Sequence, residues 1–239
     1  MWLFKSVKSL KESGIFEGFT DWHSHILPGV DDGIKKIEDS LKVLEVYENL
    51  GFKKVWLTPH IMEEYPNETQ KLKEIYESLK TRWTGKLEIE LAAENMLDNM
   101  FEERLEKKDF LTIGAEGDHI LVETSYYTPP YGMDEMLEKA RKSGYHIVLA
   151  HPERYRYMDE EDYKKLKEDG VLFQMNILSL AGAYGETAQK KAEWLLDKNM
   201  VDFLGTDIHN LNNFKGYLDN SSIKSKHLEK LKNLDLAEI

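Results

Sequence analysis

Short apolar runs rich in β-branched and aromatic residues alternate with longer amphipathic segments along almost the whole chain. The short runs predict seven β-strands, which read GFTDWH, KKVWLTPH, LEIELAAEN, HILVET, HIVLAHP, VLFQMNI and VDFLGTD. In the segments between them, apolar residues recur at intervals of three and four, as they do on one face of a helix. We therefore expect strands and helices to alternate.

The first helical segment shows this spacing clearly. Ile37, Leu41, Leu44 and Tyr47 fall on one helical face, and Gly51 is placed to end the helix. Five later segments repeat the spacing: ETQKLKEIYESLKTRW, LDNMFEERLEKK, MDEMLEKARKSG, EEDYKKLKEDG and ETAQKKAEWLLDKN. Such alternation is typical of parallel strands joined by crossover helices, in a closed barrel or in an open doubly wound sheet.

Polar residues at the strand ends distinguish between these two folds. No glycine-rich turn follows the first strand, which excludes the dinucleotide fingerprint and the P-loop. Most strands instead end in His, Asp or Glu, and barrel enzymes carry their chemistry at that edge. We therefore predict an α/β protein with a seven-stranded (β/α) barrel. It would form one domain over residues 1–239, with a helical extension over 1–17 and a final helix over 221–239.

The composition narrows the classes of function. Hydrophobic residues make up 41% and charged residues 32% of the 239 residues, a balance typical of a globular domain. The sequence shows neither a membrane-spanning run nor the features of a signal peptide, so we expect a cytoplasmic protein. The segment MWLFKSVKSL could pack on the barrel or contact a membrane or a partner.

Charge and cysteine content exclude further classes. The formal net charge of -12 argues against a nucleic-acid partner. The absence of cysteine excludes disulfides, thiolate metal ligands and every mechanism that uses a cysteine nucleophile.

The histidines indicate where the chemistry lies. Five of the eight end predicted strands, where the ligands of one site would converge: His23, His25, His60, His151 and His209. Acidic residues that suit divalent metal ions lie beside them: Asp21, Asp31, Asp32, Glu94, Glu123 and Asp207. His119 and His146 instead open their strands and are expected at the opposite edge, whereas His227 belongs to the final helix.

Two pairs of residues carry the metal hypothesis. His23 and His25 are one residue apart on a strand, so both side chains point to the same face and can bind one ion. Asp207 and His209 repeat this spacing on the last strand, which would close the barrel beside the first. We expect the two pairs to meet.

Two buried carboxylates extend the predicted site. Glu94 ends the apolar run LEIELAA, where a carboxylate is costly to bury without a cation. A basic partner is the alternative, but no Lys or Arg ends a predicted strand nearby, so we interpret Glu94 as a metal-bridging ligand. Glu123 allows the same interpretation, although Thr124 and Ser125 could satisfy it instead.

Two arginines that follow His151 could bind an anion. Arg154 lies three residues after His151 and could direct its guanidinium to a phosphoryl group, or it could form a salt bridge with Glu153. Arg156 is a weaker candidate for the same role. Three tyrosines of SYYTPPYG could line the substrate entrance or pack a proline-rich loop: Tyr126, Tyr127 and Tyr131.

These motifs resemble those of the polymerase and histidinol phosphatase (PHP) superfamily. More narrowly, the chain is similar to the bacterial tyrosine-protein phosphatases found with capsular and exopolysaccharide synthesis. The resemblance covers nearly the whole length, through DWHSHILPGVDDG, LTPH, AAEN, AHPERY, QMNILSLAG and GTDIHN.

The resemblance implies a distorted (β/α)7 barrel of PHP type with about three divalent metal ions, commonly manganese, although Fe, Zn and Co suit the same ligands. It implies hydrolysis of phosphotyrosine on a bacterial tyrosine autokinase. Arg154 would bind the phosphate. The metal ligands would be His23, His25, Asp32, His60, Glu94, Glu123, His151, Asp207 and His209.

One position departs from the pattern. Many members of this branch carry a second arginine shortly after the last motif, where HNLNNFKG has Phe214 and Lys215. Lys215 could supply the charge for substrate binding but not the paired donors of arginine, or Arg156 or Arg82 could take that place.

Because a cysteine nucleophile is excluded, the mechanism that remains is attack on phosphorus by a metal-activated water. Glu94 would bridge the metals, and Arg154 would stabilise the charge on the phosphoryl oxygens. His209 or a water would protonate the leaving group. Three alternatives stay open: hydrolysis of a small phosphomonoester such as histidinol phosphate, an amidohydrolase activity, and a metal-binding regulatory barrel without turnover. The sequence does not determine the oligomeric state, and a homo-oligomer is possible.

Overall fold

The computed structural model describes residues 9–234, in which parallel strands alternate with helices. The strands are β1 Thr20–Ser24, β2 Lys54–Leu57, β3 His60–Ile61, β4 Glu88–Leu91, β5 Glu94–Met96, β6 His119–Glu123, β7 His146–Ala150, β8 Leu172–Asn176 and β9 Phe203–Gly205. The helices are α1 Ile37–Leu50, α2 Thr69–Arg82, α3 Asn99–Lys107, α4 Met133–Lys142, α5 Glu160–Glu168, α6 Gly185–Asp197, α7 Leu211–Asn220 and α8 Ser225–Lys232. Short 3-10 helices cover Lys11–Ser13, Pro152–Arg154 and Ile177–Ala181.

All six helices predicted from the apolar spacing are present as α1 to α6. In α1, Val43, Leu44 and Tyr47 are buried, and the chain leaves the helix through Gly51 at φ 90°. This left-handed conformation is one that glycine adopts without steric cost, so the predicted end of the helix is confirmed.

The strands form two parallel sheets, in the orders β1-β2-β4 and β3-β5-β6-β7-β8-β9. Two of the predicted strands, KKVWLTPH and LEIELAAEN, are each interrupted and continue from the first sheet into the second, as β2–β3 and β4–β5. Pro59 lies in the first interruption and has no N–H to donate to a neighbouring strand. The chain is therefore an α/β protein with parallel sheets.

A small apolar cluster separate from the main core draws on several strands. Trp22 of β1 stacks on Trp56 of β2 at 5.9 Å between ring centroids and packs on Phe203 of β9 at 5.0 Å. Burial of these large rings stabilises the arrangement of the strands. It also places the first and last strands close together.

The ends of the chain are described only in part. Of the predicted extension over 1–17, residues 1–8 lie outside the described residues, and a 3-10 turn covers Lys11–Ser13. Of the predicted final helix over 221–239, Ser225–Lys232 is helical, and residues 235–239 lie outside the described residues. Each helix found between residues 9 and 234 is too short or too polar to be a candidate membrane span.

Candidate metal centre

Histidines and carboxylates converge at the C-terminal ends of the strands. They form four overlapping groups, in each of which one donor atom per residue lies within 4.8 Å of the others. The groups are His25–Asp32–His60–His209, His23–His25–Asp207, His23–Glu94–His151 and His60–Glu94–Glu123. Their nine members are the nine residues that the resemblance implies as metal ligands. The structure thus brings the whole predicted set together.

The two sequence pairs meet where the end of β1 runs beside the segment that follows β9. The amide of His25 donates to the carbonyl of Ile208 at 3.1 Å, and the amide of Asp207 donates to the carbonyl of His23 at 2.8 Å. These bonds place Asp207 Oδ1 3.4 Å from His25 Nε2. Asp207 and His151 both have positive φ, at 54° and 34°. Such strain in non-glycine residues is typical of functional sites.

Glu94 lies at the centre of the group and is fully buried. Its Oε2 is 3.2 Å from His23 Nε2 and 3.0 Å from His60 Nδ1, and its Oε1 is 2.9 Å from His151 Nε2. Among the described residues, no lysine or arginine comes within 4.0 Å of this carboxylate. The alternative of a basic partner therefore receives no support from the geometry.

Several ligand atoms of the group are buried close to one another, yet they lack the geometry of a hydrogen bond within the described part of the chain. They are Glu94 Oε2, His60 Nδ1, Glu123 Oε1 and Asp207 Oδ1. Buried polar atoms are normally satisfied, and a cation held between imidazole nitrogens and carboxylate oxygens would satisfy these. The donor set therefore fits divalent metal ions.

The pKa values show an excess of negative charge at the centre. Burial alone would lower the pKa of His60, but the carboxylates of Glu94 and Glu123 together outweigh it and raise the pKa to about 10. Burial would raise the pKa of Glu94, yet the imidazoles of His23 and His60 hold it well below the usual range. Protons thus bind where divalent cations would bind, and metal binding should release them.

Two amide side chains, Gln174 and Asn176, fix the tautomer of His23. The sequence analysis did not include these two residues in the site. The carboxylate of Asp207 can only accept, so Asn176 donates Nδ2 to it at 2.7 Å and presents Oδ1 to Gln174. Gln174 donates Nε2 to that oxygen at 3.0 Å and presents Oε1 to His23 Nδ1 at 2.7 Å. His23 Nδ1 must therefore carry the proton, which leaves the lone pair of Nε2 for a metal. The two amides that alternate in VLFQMNI were the sequence signal.

Asp31 performs the same task for His25. Its Oδ2 lies 2.8 Å from His25 Nδ1 and also accepts from the amide of His60 at 3.0 Å. A Cβ on Gly33 would overlap the carbonyl and Cβ of His25, so only glycine lets this loop close over the histidine. Asp32 beside it is half-exposed, with Oδ1 3.3 Å from His209 Nε2.

Arg154 stands beside the centre in the 3-10 helix Pro152–Arg154. Its guanidinium lies between the rings of Tyr126 and Tyr184, at 4.4 and 4.3 Å from their centroids. Nη1 donates to Oδ2 of Asp207 at 2.6 Å, so the ion pair of Arg154 is with Asp207 and not with Glu153. Stacking and pairing hold a partly buried cation next to the metal ligands.

A cavity of about 470 Å³ opens over these groups. Its walls include His60, His151, Asp207, His209, Arg154, Tyr126, Tyr184 and Phe214. Lys215 instead lies on the exposed side of α7, in an adjoining depression that it shares with His209. Its predicted role in substrate binding stays a prediction.

The remaining aromatic and histidine candidates fall elsewhere. Tyr127 is exposed and stacks on Arg156, and Tyr131 is fully exposed, so of the three tyrosines only Tyr126 lines the main cavity. His119 and His146 pair in register at the starts of β6 and β7, with ring centroids 4.7 Å apart. Their predicted position, at the strand edge opposite the site, is confirmed.

Parallel α/β sheets with a histidine–carboxylate centre at the C-terminal strand ends define a candidate metalloprotein of the α/β class. More specifically, the chain belongs to the CpsB/CapC family of capsular polysaccharide synthesis, whose model matches residues 19–233. The superfamily resemblance and its capsular branch are confirmed by this match.

Individual relatives share about a quarter of their residues with the chain. It is 28% identical over 197 residues to the tyrosine-protein phosphatase YwqE of Bacillus subtilis, covering 80% of this chain and 77% of that protein. It is 27% identical over 217 residues to the tyrosine-protein phosphatase CpsB of Streptococcus pneumoniae, covering 83% and 86%.

The fold is shared with a solved relative. A chain from the crystal structures of YwqE from B. subtilis and CpsB from S. pneumoniae, described as unique metal-dependent tyrosine phosphatases, matches with a TM-score of 0.76. The match covers 92% of this chain and 89% of that chain at 24% identity.

Proposed function

We propose that this protein is a metal-dependent phosphatase that hydrolyses phosphotyrosine on a protein substrate. The observation that carries the proposal is the position of Arg154, whose guanidinium borders the cavity above the histidine–carboxylate centre. An arginine beside a metal centre is suited to bind the oxygens of a phosphoryl group. Membership of the CpsB/CapC family and the relatives named tyrosine-protein phosphatase support phosphotyrosine as the substrate.

The nine converging residues would hold the metal ions, which we propose to be about three, with manganese preferred and iron, zinc or cobalt also compatible with the ligands. When bound, these ions would supply Lewis acidity and lower the pKa of a water molecule. Glu94 would be the ligand shared between ions, because its two oxygens face His23, His60 and His151.

Side chains of the protein would bind the phosphate and protonate the leaving group. Arg154 binds the phosphoryl oxygens and stabilises the charge that develops on them. His209 is the most exposed histidine of the centre and borders the cavity, so it would protonate the leaving oxygen if it does not hold a metal ion, and a water molecule would do so if it does. Phenolate is a good leaving group, which keeps this acid requirement modest.

We also propose that the strands close into one seven-stranded barrel and that the chain is a single domain. The bonds between His23 and Asp207 and between His25 and Ile208 support closure, since they join the first strand to the segment after the last. A bacterial tyrosine autokinase is the proposed physiological substrate. The cytoplasmic location stays a prediction.

One experiment tests the function. The metal-loaded protein is assayed with a phosphotyrosyl peptide and with histidinol phosphate, beside a Glu94→Gln variant. We expect turnover of the peptide in preference to histidinol phosphate, and its loss in the variant. Preference for histidinol phosphate would support the small-substrate alternative. No turnover at full metal occupancy would support a regulatory barrel.

A further inference from the structure

A second groove of about 290 Å³ adjoins the main cavity. The two share Tyr126, Arg154 and Tyr184 as walls, so a peptide whose side chain enters the main cavity would pass beside the groove. The remaining walls include Tyr127, Arg156 and the first turn of α6. Neither the metal centre nor the proposed hydrolysis uses these residues.

Arg156 lines this groove and has no ion-pair partner among the described residues. Its backbone amide donates to the carbonyl of Tyr126 at 2.7 Å, and its guanidinium lies 4.9 Å from the ring of Tyr127. Within residues 9–234, no carboxylate comes within 4.0 Å of this guanidinium, although the whole chain carries a net charge of -12. Arg154, by contrast, is paired with Asp207. Arg156 therefore has its donors available for an external anion.

The other charges of the groove are already engaged. Glu186, in the first turn of α6, pairs with Lys190 at 2.6 Å. Glu153 is buried and its Oε1 accepts from the hydroxyl of Ser179 at 2.6 Å. Among the described residues that line the groove, Arg156 is thus the cation without an ion pair, and it matches a single negative charge.

We propose that Arg156 and Tyr127 bind a carboxylate side chain of the substrate, located within two residues of the phosphotyrosine. The inference rests on the proposed function, since it places the phosphotyrosine in the main cavity. An extended peptide advances about 3.3 Å per residue, so only near neighbours of the phosphotyrosine can reach a groove that shares walls with that cavity. Arg156 is thereby a residue that determines substrate specificity.

The test uses labelled phosphotyrosyl peptides with glutamate at one of the positions -2, -1, +1 or +2, each beside the same peptide with glutamine. Metal-loaded wild type, Arg156→Ala and Arg156→Lys are compared. The matched control is Arg141→Ala, which removes an arginine of α4 whose Nη1 donates to the carbonyl of Asp169 at 2.8 Å. KM and kcat are measured for turnover, and fluorescence anisotropy reports peptide binding.

For one position we expect wild type to favour glutamate over glutamine by about fivefold in KM, the upper end for a partly exposed ion pair. Arg156→Ala should raise KM for the glutamate peptide to that of the glutamine peptide, Arg156→Lys should fall between, and Arg141→Ala should keep the wild-type preference. Equal KM values in wild type, or an unchanged preference in Arg156→Ala, would overturn the proposal.

Anisotropy separates this proposal from the proposed function. If no peptide is hydrolysed, the phosphatase proposal fails. The groove proposal can still be tested then, because anisotropy shows whether the glutamate peptide binds more tightly than the glutamine peptide. If peptides are hydrolysed without any preference, the groove proposal fails alone.

Discussion

Replacement of Gln174 by leucine tests how the fold prepares the metal ligands. Leucine fills a similar volume but neither accepts from His23 Nδ1 nor donates to Asn176 Oδ1, bonds of 2.7 and 3.0 Å in the buried interior. His23 is then free to carry its proton on Nε2, which cannot bind a metal in that form. Asn176 also loses the partner that directs its amide to Asp207.

The expected loss can be estimated from these contacts. Loss of the partner that orients a ligating histidine typically weakens metal affinity by about 10- to 100-fold, or about 1.4 to 2.7 kcal/mol. Each buried group left without a partner also costs about 1–3 kcal/mol of folding stability, which is separate from the loss of metal affinity. We therefore expect Gln174→Leu to bind Mn²⁺ about 10- to 100-fold more weakly, with a matching fall in activity at limiting metal.

Metal affinity is measured by calorimetric titration of Mn²⁺ into chelator-treated protein. The matched control is Gln189→Leu, which removes a half-buried glutamine whose Nε2 donates to the carbonyl of Leu180 at 2.9 Å. Gln174→Glu retains an acceptor for His23 and should lose less affinity than leucine. Wild-type affinity in a folded Gln174→Leu variant would show that the two amides do not orient His23.

Four further outcomes follow from the geometry. Arg154→Lys should lower kcat/KM for phosphotyrosyl peptides by about 10²-fold with metal content unchanged, because lysine lacks the paired donors; a smaller effect would move phosphate binding elsewhere. Gly205→Ala should weaken metal binding and lower Tm, because its Cβ would lie 2.7 Å from both Gln174 Nε2 and His23 Cβ; unchanged thermal melting would contradict this close approach. Lys215→Ala tests the predicted substrate contact: a higher peptide KM would support it, and unchanged kinetics would remove Lys215 from the site. Chelation should abolish activity and lower Tm, and Mn²⁺ should restore both; full activity after verified metal removal would exclude the proposed chemistry.

Much of the architecture and the ligand set could be predicted from the sequence. The intervals of three and four determine which face of each helix is buried, so α1 to α6 appear where the apolar pattern places them. His23 and His25 share a face because side chains alternate along a strand, and parallel strands bring their C-terminal ends to one edge. For these reasons the local pattern already gathers His60, Glu94 and Asp207 in one region.

The tertiary structure decided what depends on distances between residues far apart in the chain. The periodicity of VLFQMNI places Gln174 and Asn176 on one face, but their role follows only from contact with His23 and Asp207. Likewise, Arg154 is followed two residues later by Arg156, yet one pairs with Asp207 and the other faces a groove without a carboxylate partner in the described part of the chain. Local spacing determines the direction of a side chain. Its partner depends on how the strands and their loops are brought together, and the sequence pattern does not contain that information.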